Sequence, residues 1–208
     1  MARSGPKRGD PRSAQTRTAL IDATIAALAD LGFSGTSARA VAERAGVAAG
    51  GVFYHFRSMD ELLAGVFDTC LERRISRLRV AVDVPRDELP AAFSSAVRAE
   101  FAHVESRAIL ELVVGAIDSP ALSERVRAGF AQSSAFTREV VELLLADSPL
   151  AALLPLDLVA QVATSAFFGL AVMDLVGSDV DIDGMTTLVT GLLELMRSGF
   201  VPPGAGLA

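Results

Sequence analysis

Ser37-Ala-Arg-Ala-Val-Ala-Glu-Arg-Ala45, Gly46-Val47 and Ala48-Ala-Gly-Gly-Val-Phe-Tyr-His-Phe56 form an unbroken run that decides the reading of this chain. The run parses as two short helices joined by a turn of a few residues that contains glycine, the helix-turn-helix pattern. Ser37 is placed to cap the first helix, which runs to Ala45 and stops at Gly46. Small side chains at Ala38, Ala42 and Ala45 allow the helices to approach closely, and Gly46 tolerates the left-handed backbone of a sharp turn. Val41, Val47, Val52 and Phe56 supply the apolar seam that fixes the crossing angle. A following helix over about 48–55, held in this way, fits a major groove ~12 Å wide with its N-terminal residues against base edges.

The flanks continue the helical pattern. Upstream, Leu20, Ile21, Thr24, Ile25, Leu28 and Leu31 fall on one face of a helix that starts at Asp10-Pro11 or at Ser13 and ends at Gly32. Downstream, Ser58-Met59-Asp60-Glu61 reads as a capping box, with Ser58 and Glu61 satisfying each other's end of a helix that reaches about Val82. Further helices are expected over about 89–104, 107–117, 120–146, 156–176 and 184–198, broken at Ser119-Pro120, Ser148-Pro149, Pro155 and Gly177. No run alternates polar and apolar residues long enough to predict a strand. An all-α chain of about nine elements follows, without internal repeats or heptads.

Charge is unevenly spread. Residues 1–57 carry eight basic and four acidic groups, a net +4, while the remainder carries −10, for a total of −6. A basic head on an acidic body fits a polyanion-binding module joined to a solubilising one; chance fluctuation of solvated charge stays open. Across 208 residues, 51% apolar composition and a mean hydropathy of +0.42 support a packed core. The single Cys70 has no partner for an internal disulfide, and no apolar run follows the basic N-terminal residues as a secretory signal would require. Leu158–Val176 is interrupted by Gln161, Thr164, Ser165 and Asp174, so it reads as a buried helix rather than a membrane span. A cytoplasmic location with no membrane partner is the expectation.

Over residues 16–63 the sequence resembles the DNA-binding domain of the TetR/AcrR family of transcriptional regulators. The stretches that carry the resemblance are Thr16-Arg17, Leu20-Ile21 and Ala23, then Gly32-Phe33-Ser34-Gly35-Thr36-Ser37. Val41-Ala42-Glu43-Arg44-Ala45-Gly46-Val47, Gly50, Val52-Phe53-Tyr54-His55-Phe56 and Ser58-Met59-Asp60-Glu61-Leu62-Leu63 complete it. The resemblance implies an N-terminal three-helix helix-turn-helix domain over 13–57 and a connecting helix over 58–82. It also implies a C-terminal helical bundle for ligand binding and dimerisation within 58–200, with a loose tail at 201–208. DNA contacts are implied at Thr36, which caps helix two and touches a phosphate, and at Ser37, Arg39, Ala48, Ala49, Gly50, Gly51, Tyr54 and His55. Four positions depart from the family: Gly51 lacks the usual hydroxyl, Ala49 the usual polar or Lys/Pro residue, Phe53 the usual Tyr, and Met59 the usual Lys. Arg3, Lys7, Arg8 and Arg12 are placed as a flexible basic arm over 1–12 for a minor groove, or equally as a solvated tail.

The implied partners are a near-palindromic DNA operator, a small apolar ligand and a second copy of the chain. Glu100, Phe101, His103, Phe136 and Phe167 are the expected border of the ligand cavity. Leu156–Val176 and Met185–Met196 are apolar on more than one face, which places Val159, Ala163, Ala166, Gly169, Met173, Leu188, Leu192 and Leu195 at a two-fold interface; burial within one subunit is the alternative. Asp179, Asp181 and Asp183 match the first half of a calcium loop, but its twelfth position is Thr190 where a bidentate Glu belongs, so they read as an acidic turn with Asp183 capping the last helix. Cys70, His55 and His103 have no metal-ligand spacing, and no nucleophile elbow, phosphate loop or dinucleotide fingerprint exists, so no cofactor, metal or enzyme activity is expected. A repressor is the first reading. An activator, and an apolar-ligand-binding bundle with a degenerate head, remain as rivals.

Overall fold

The computed structural model describes residues 11–48, 50–146 and 148–197, excluding the side chains of 149–150 and 193–197. Among these residues the order is α1 (Pro11–Gly35), α2 (Ala38–Arg44), α3 (Gly51–His55), α4 (Met59–Val82), α5 (Leu89–Phe101), α6 (Val104–Gly115), α7 (Pro120–Leu145), α8 (Leu156–Leu175) and α9 (Ile182–Arg197), with a 3-10 turn at Pro149–Ala152. The described chain is all helical. It divides into two compact units, Met1–Glu72 with Val104–Ala128 and Arg73–His103 with Gly129–Ala208. Thus α6 and the start of α7 group with the N-terminal helices, and α4 contributes to both units.

In the first unit α1 breaks at Gly32, whose left-handed φ of 72° diverts the chain towards α2. Leu20, Leu28, Val41, Val52, Phe56, Leu62, Val66 and Ile109 are fully buried and form its core. The α2–α3 turn is set by Gly46 at φ 66°. The Val47 amide donates to the Ala42 carbonyl at 3.0 Å and the Gly46 amide to the Glu43 carbonyl at 3.2 Å. This paired arrangement closes the open carbonyls of a helix end around a left-handed residue.

Several expectations are corrected locally. The third helix begins at Gly51, not near 48: the Ala48 carbonyl instead accepts from the Gly51 amide in a tight turn, and Gly50 stands at the N-cap. The Ser58 hydroxyl caps α4 by accepting from the Glu61 amide at 3.1 Å, but the Glu61 carboxylate takes the Arg57 amide (2.8 Å) rather than that of Ser58. The last helix is capped by Asp181, whose carboxylate accepts from the Gly184 amide at 2.7 Å, while Asp183 pairs with Arg98 at 2.9 Å. Asp181 is thus the capping residue of α9, and Asp183 is an ion-pair partner of Arg98.

α6 grips the end of α1. The Glu111 carboxylate accepts from the Phe33 amide at 2.8 Å, which satisfies a donor freed by the break at Gly32. One turn on, the Phe33 ring lies on the backbone of Gly115, where any Cβ would overlap it. Gly115→Ala is expected to lower stability by about 1–3 kcal/mol through overpacking, less ~1 kcal/mol of regained helix propensity. Urea unfolding checks this, and adding Phe33→Leu, which makes room, is expected to recover part of the loss.

In the second unit Phe136, Val140, Leu144, Leu145 and Ala160 are buried, and α5 packs on α9. The rings of Phe101, Phe167, Phe168 and Phe130 form a chain with successive centroids 4.9, 5.9 and 4.5 Å apart.

Candidate functional site

The first unit presents an outward face on α2 and α3. Val52 and Phe56, four residues apart, anchor α3 in the core, which turns Phe53 and Tyr54 outward at 54% and 55% exposure. The Tyr54 ring meets the half-buried His55 ring edge-on, centroids 5.1 Å apart. A Cβ at Gly51 would stand 3.2 Å from Val47, so the missing hydroxyl at that position goes with close packing of α3 on the turn. Arg39 is exposed in the first turn of α2. The other basic groups of this region are engaged: Arg44 with Asp30 at 2.6 Å, Arg57 with Glu61 at 3.0 Å, and Arg17 over the Phe56 ring at 4.7 Å. The Arg57 side chain, and then its backbone amide, hold the Glu61 carboxyl below the ordinary carboxylate range.

Ser37 caps α2, its hydroxyl accepting from the Ala40 amide at 3.3 Å. Thr36 does not take the capping role implied for it; its hydroxyl donates to the Gly32 carbonyl at 2.8 Å, bracing the break in α1. Arg12 is exposed but belongs to the first turn of α1 rather than to a free arm. Arg3, Lys7, Arg8, Ala49 and the tail at 201–208 lie outside the described residues.

The second unit contains a cavity of about 410 Å³ with an overwhelmingly apolar wall. Phe101, Phe136 and Phe167 line it as expected, but Glu100 and His103 do not. Glu100 is 2% exposed and turned to α4, where Arg77 donates to its two oxygens at 2.7 and 2.9 Å. Arg74 stands 3.6 Å from the same carboxylate, and the His103 ring is 4.0 Å away. A sequence reader sees a polar pair near a phenylalanine; the ion pair to residues 23 positions earlier is invisible until α4 and α5 are packed. The residues overlooked at the wall include Arg74 and Leu78 of α4 and Val97 of α5. The available signal was a charged residue inside the apolar pattern of α4.

α8 and α9 leave much apolar surface uncovered. Leu158, Val162, Val172 and Met173 of α8, and Met185, Leu188, Val189 and Leu192 of α9, are all exposed, Leu188 by 62%. Gly169 is open, with nothing within 4 Å of a Cβ built on it. Of the residues expected at a two-fold interface, Val159, Ala163 and Ala166 border the cavity, with Ala163 and Ala166 exposed as well, and Met173, Leu188 and Leu192 lie on this exposed surface. The Leu195 side chain lies outside the described set. Leu158, Val162 and Val189 were not anticipated there. By length and composition alone α1 and α8 could cross a membrane; α8 carries exposed Asp157, Gln161 and Asp174. Among the described residues no group of three or more His, Cys, Asp and Glu gathers as a metal site.

Residues 20–66 match the family model described as bacterial regulatory proteins, tetR family. An uncharacterised HTH-type transcriptional regulator of Mycobacterium tuberculosis is 29% identical over 147 residues, covering 69% of this chain and 73% of that protein. Among solved structures, a TetR-family transcriptional regulator from a Rhodococcus species superimposes with a TM-score of 0.72 at 20% identity, covering 88% of this chain and 99% of that one. A TetR transcription regulator from Haloarcula marismortui gives 0.73 at 16% identity, covering 88% and 98%.

Proposed function

We propose that this chain, whose residues 20–66 match the tetR family model, is an HTH-type transcriptional regulator of that family and not an enzyme, a cytoplasmic, homodimeric repressor released from its operator by a small, mainly apolar ligand. The observation that carries the DNA-binding part is the outward face of the first unit, where buried Val52 and Phe56 fix α3 while Tyr54 and Arg39 stay exposed. Arg39 and Tyr54 reach phosphates and groove edges; phosphate contacts set register and base contacts set sequence preference. Two such heads, joined through the apolar faces of α8 and α9, enter successive major grooves about 34–36 Å apart on a near-palindromic site.

The cavity supports the sensing part. α4 supplies Arg74, Ile75 and Leu78 to its wall, and the same helix begins two residues after Arg57, directly behind α3 in the chain. A ligand that fits the cavity only when α4 shifts favours the state that binds DNA poorly. A coupling of ~1–3 kcal/mol is the ordinary size of such an effect.

The test is a salt titration of binding to the DNA upstream of the protein's own gene. Arg39→Ala is expected to weaken binding about uniformly across sequences and to lower the slope of log affinity against log salt by about 1. Tyr54→Ala is expected to weaken binding with the melting temperature unchanged, and removal of residues 1–12 to lower the slope further. A flat salt response with equal affinity for all DNA would instead establish the degenerate head, in keeping with Phe53 and Gly51 at the exposed end of α3.

A further inference from the structure

We propose that Phe53 is a base reader: its exposed ring recognises the C5-methyl groups of thymines in the major groove, so that α3 selects its site by methyl placement rather than by side-chain hydrogen bonds. The inference rests on the reading of α2 and α3 as the DNA-facing surface and adds which bases that surface selects. From Ala45 to Phe56 the sequence holds no Arg, Lys, Asn, Gln, Asp or Glu. Those are the residue types that read base edges in the major groove by paired hydrogen bonds or by accepting from cytosine. The hydrogen-bonding side chains of the stretch are Tyr54 and His55, and the His55 ring is half-buried against Tyr54.

Phe53 faces outward because its neighbours cannot. Val52 and Phe56 are fully buried and fix the rotation of α3, which leaves Phe53 54% exposed beside Tyr54. Gly50 precedes Phe53 by three residues and Tyr54 by four, and its carbonyl accepts from the Tyr54 amide, so the three share one side of the helix. Gly50 is exposed, with open space where a Cβ would stand. The ring is therefore flanked on that side by bare backbone, which lets it come close to the floor of a groove. Ala48, also exposed, adds a second small apolar group. A phenyl ring without a hydroxyl has nothing to donate to a phosphate or to a base edge. What the major groove offers such a ring is the thymine methyl. The net +4 of residues 1–57 and the exposed Arg39 of α2 supply attraction to phosphates, which positions the face without carrying sequence information.

Selection of duplexes from a random pool by the full chain, followed by exchange of each selected thymine for deoxyuridine, tests this. Deoxyuridine keeps the pairing and the minor-groove edge of thymine and lacks only the methyl, so readout of groove width is held constant. At one or more thymines of each half-site the exchange is expected to weaken binding about fourfold, the worth of one buried methyl group. The factor is expected to be the same at low and high salt, because an apolar contact releases no counterions. Phe53→Ala is expected to bind the thymine and deoxyuridine duplexes equally with its melting temperature unchanged, and Phe53→Leu to keep part of the discrimination. Equal binding of the two duplexes by the unaltered protein overturns the assignment and leaves α2 and α3 as the DNA-binding surface. A methyl preference that survives Phe53→Ala overturns it as well. A pool that yields no preferred sequence overturns both readings.

Discussion

Phe56→Ala lowers the melting temperature by about 6–20 °C and abolishes DNA binding, whereas Phe53→Ala, three residues earlier, changes stability by less than ~0.5 kcal/mol. The contrast follows from burial. Phe56 is fully buried at the end of α3, with the Arg17 guanidinium over its ring, and truncating such a residue costs ~3–5 kcal/mol in lost transfer energy and cavity formation. For a chain of this size each kcal/mol moves the melting point by about 2–4 °C. Phe53 is more than half exposed, so its truncation removes little packed area. Thermal unfolding followed by circular dichroism checks the pair. Equal losses at both positions would mean that the core face of α3 has been misassigned and that Tyr54 does not point outward.

The second large effect concerns assembly. If the proposed dimer forms through α8 and α9, Leu188→Glu is expected to convert it to a monomer in sedimentation velocity while leaving helical content unchanged. Leu188 is exposed in the isolated chain, so the substitution costs the protomer almost nothing. In a two-fold interface the same carboxylate is buried opposite its own copy, and an unpaired buried charge costs several kcal/mol. DNA affinity falls with it, by roughly 10²–10⁴-fold, because the second head then binds as an independent molecule instead of at the high effective concentration set by the first. Val162→Glu on α8 has the same outcome. A chain that stays dimeric with both substitutions would place the interface elsewhere, and an unaltered chain that sediments as a monomer without DNA would remove the dimer altogether.

Much of this architecture could be read from particular residues. Gly46 announces its turn because the left-handed backbone there excludes most other residues, and the periodic apolar positions of α1 point to its buried face without further information. Helical spacing marks Phe101, Phe136 and Phe167 only as packing residues; their expected place at a cavity comes from the family resemblance, and all three line the cavity. What escaped was decided between elements distant in the chain. Glu100 looks like a polar group available to a ligand until Arg77 is seen to occupy both of its oxygens. Thr36 and Ser37 are adjacent hydroxyls, and only the path of the chain after Gly32 decides which one caps α2. Asp181 and Asp183 pose the same choice at α9, settled by Arg98 taking the latter. The start of α3 was misplaced because alanine favours a helix wherever tertiary structure allows one, and the Ala48–Gly51 turn does not allow it.

The hold of Glu111 and Gly115 on Phe33 has a bearing on the order in which the polypeptide matures at the ribosome. The helices α1, α2 and α3 emerge first, yet Glu111, which seats the end of α1, arrives 78 positions after Phe33. A nascent chain stopped after α4 therefore displays Phe33 and the inner side of α1 to solvent, and this half-made product is a natural client for chaperones. The first unit is completed only when α6, which lies beyond the whole of α4 and α5 in the chain, has been synthesised, so a polypeptide ending between α4 and α6 lacks part of that unit.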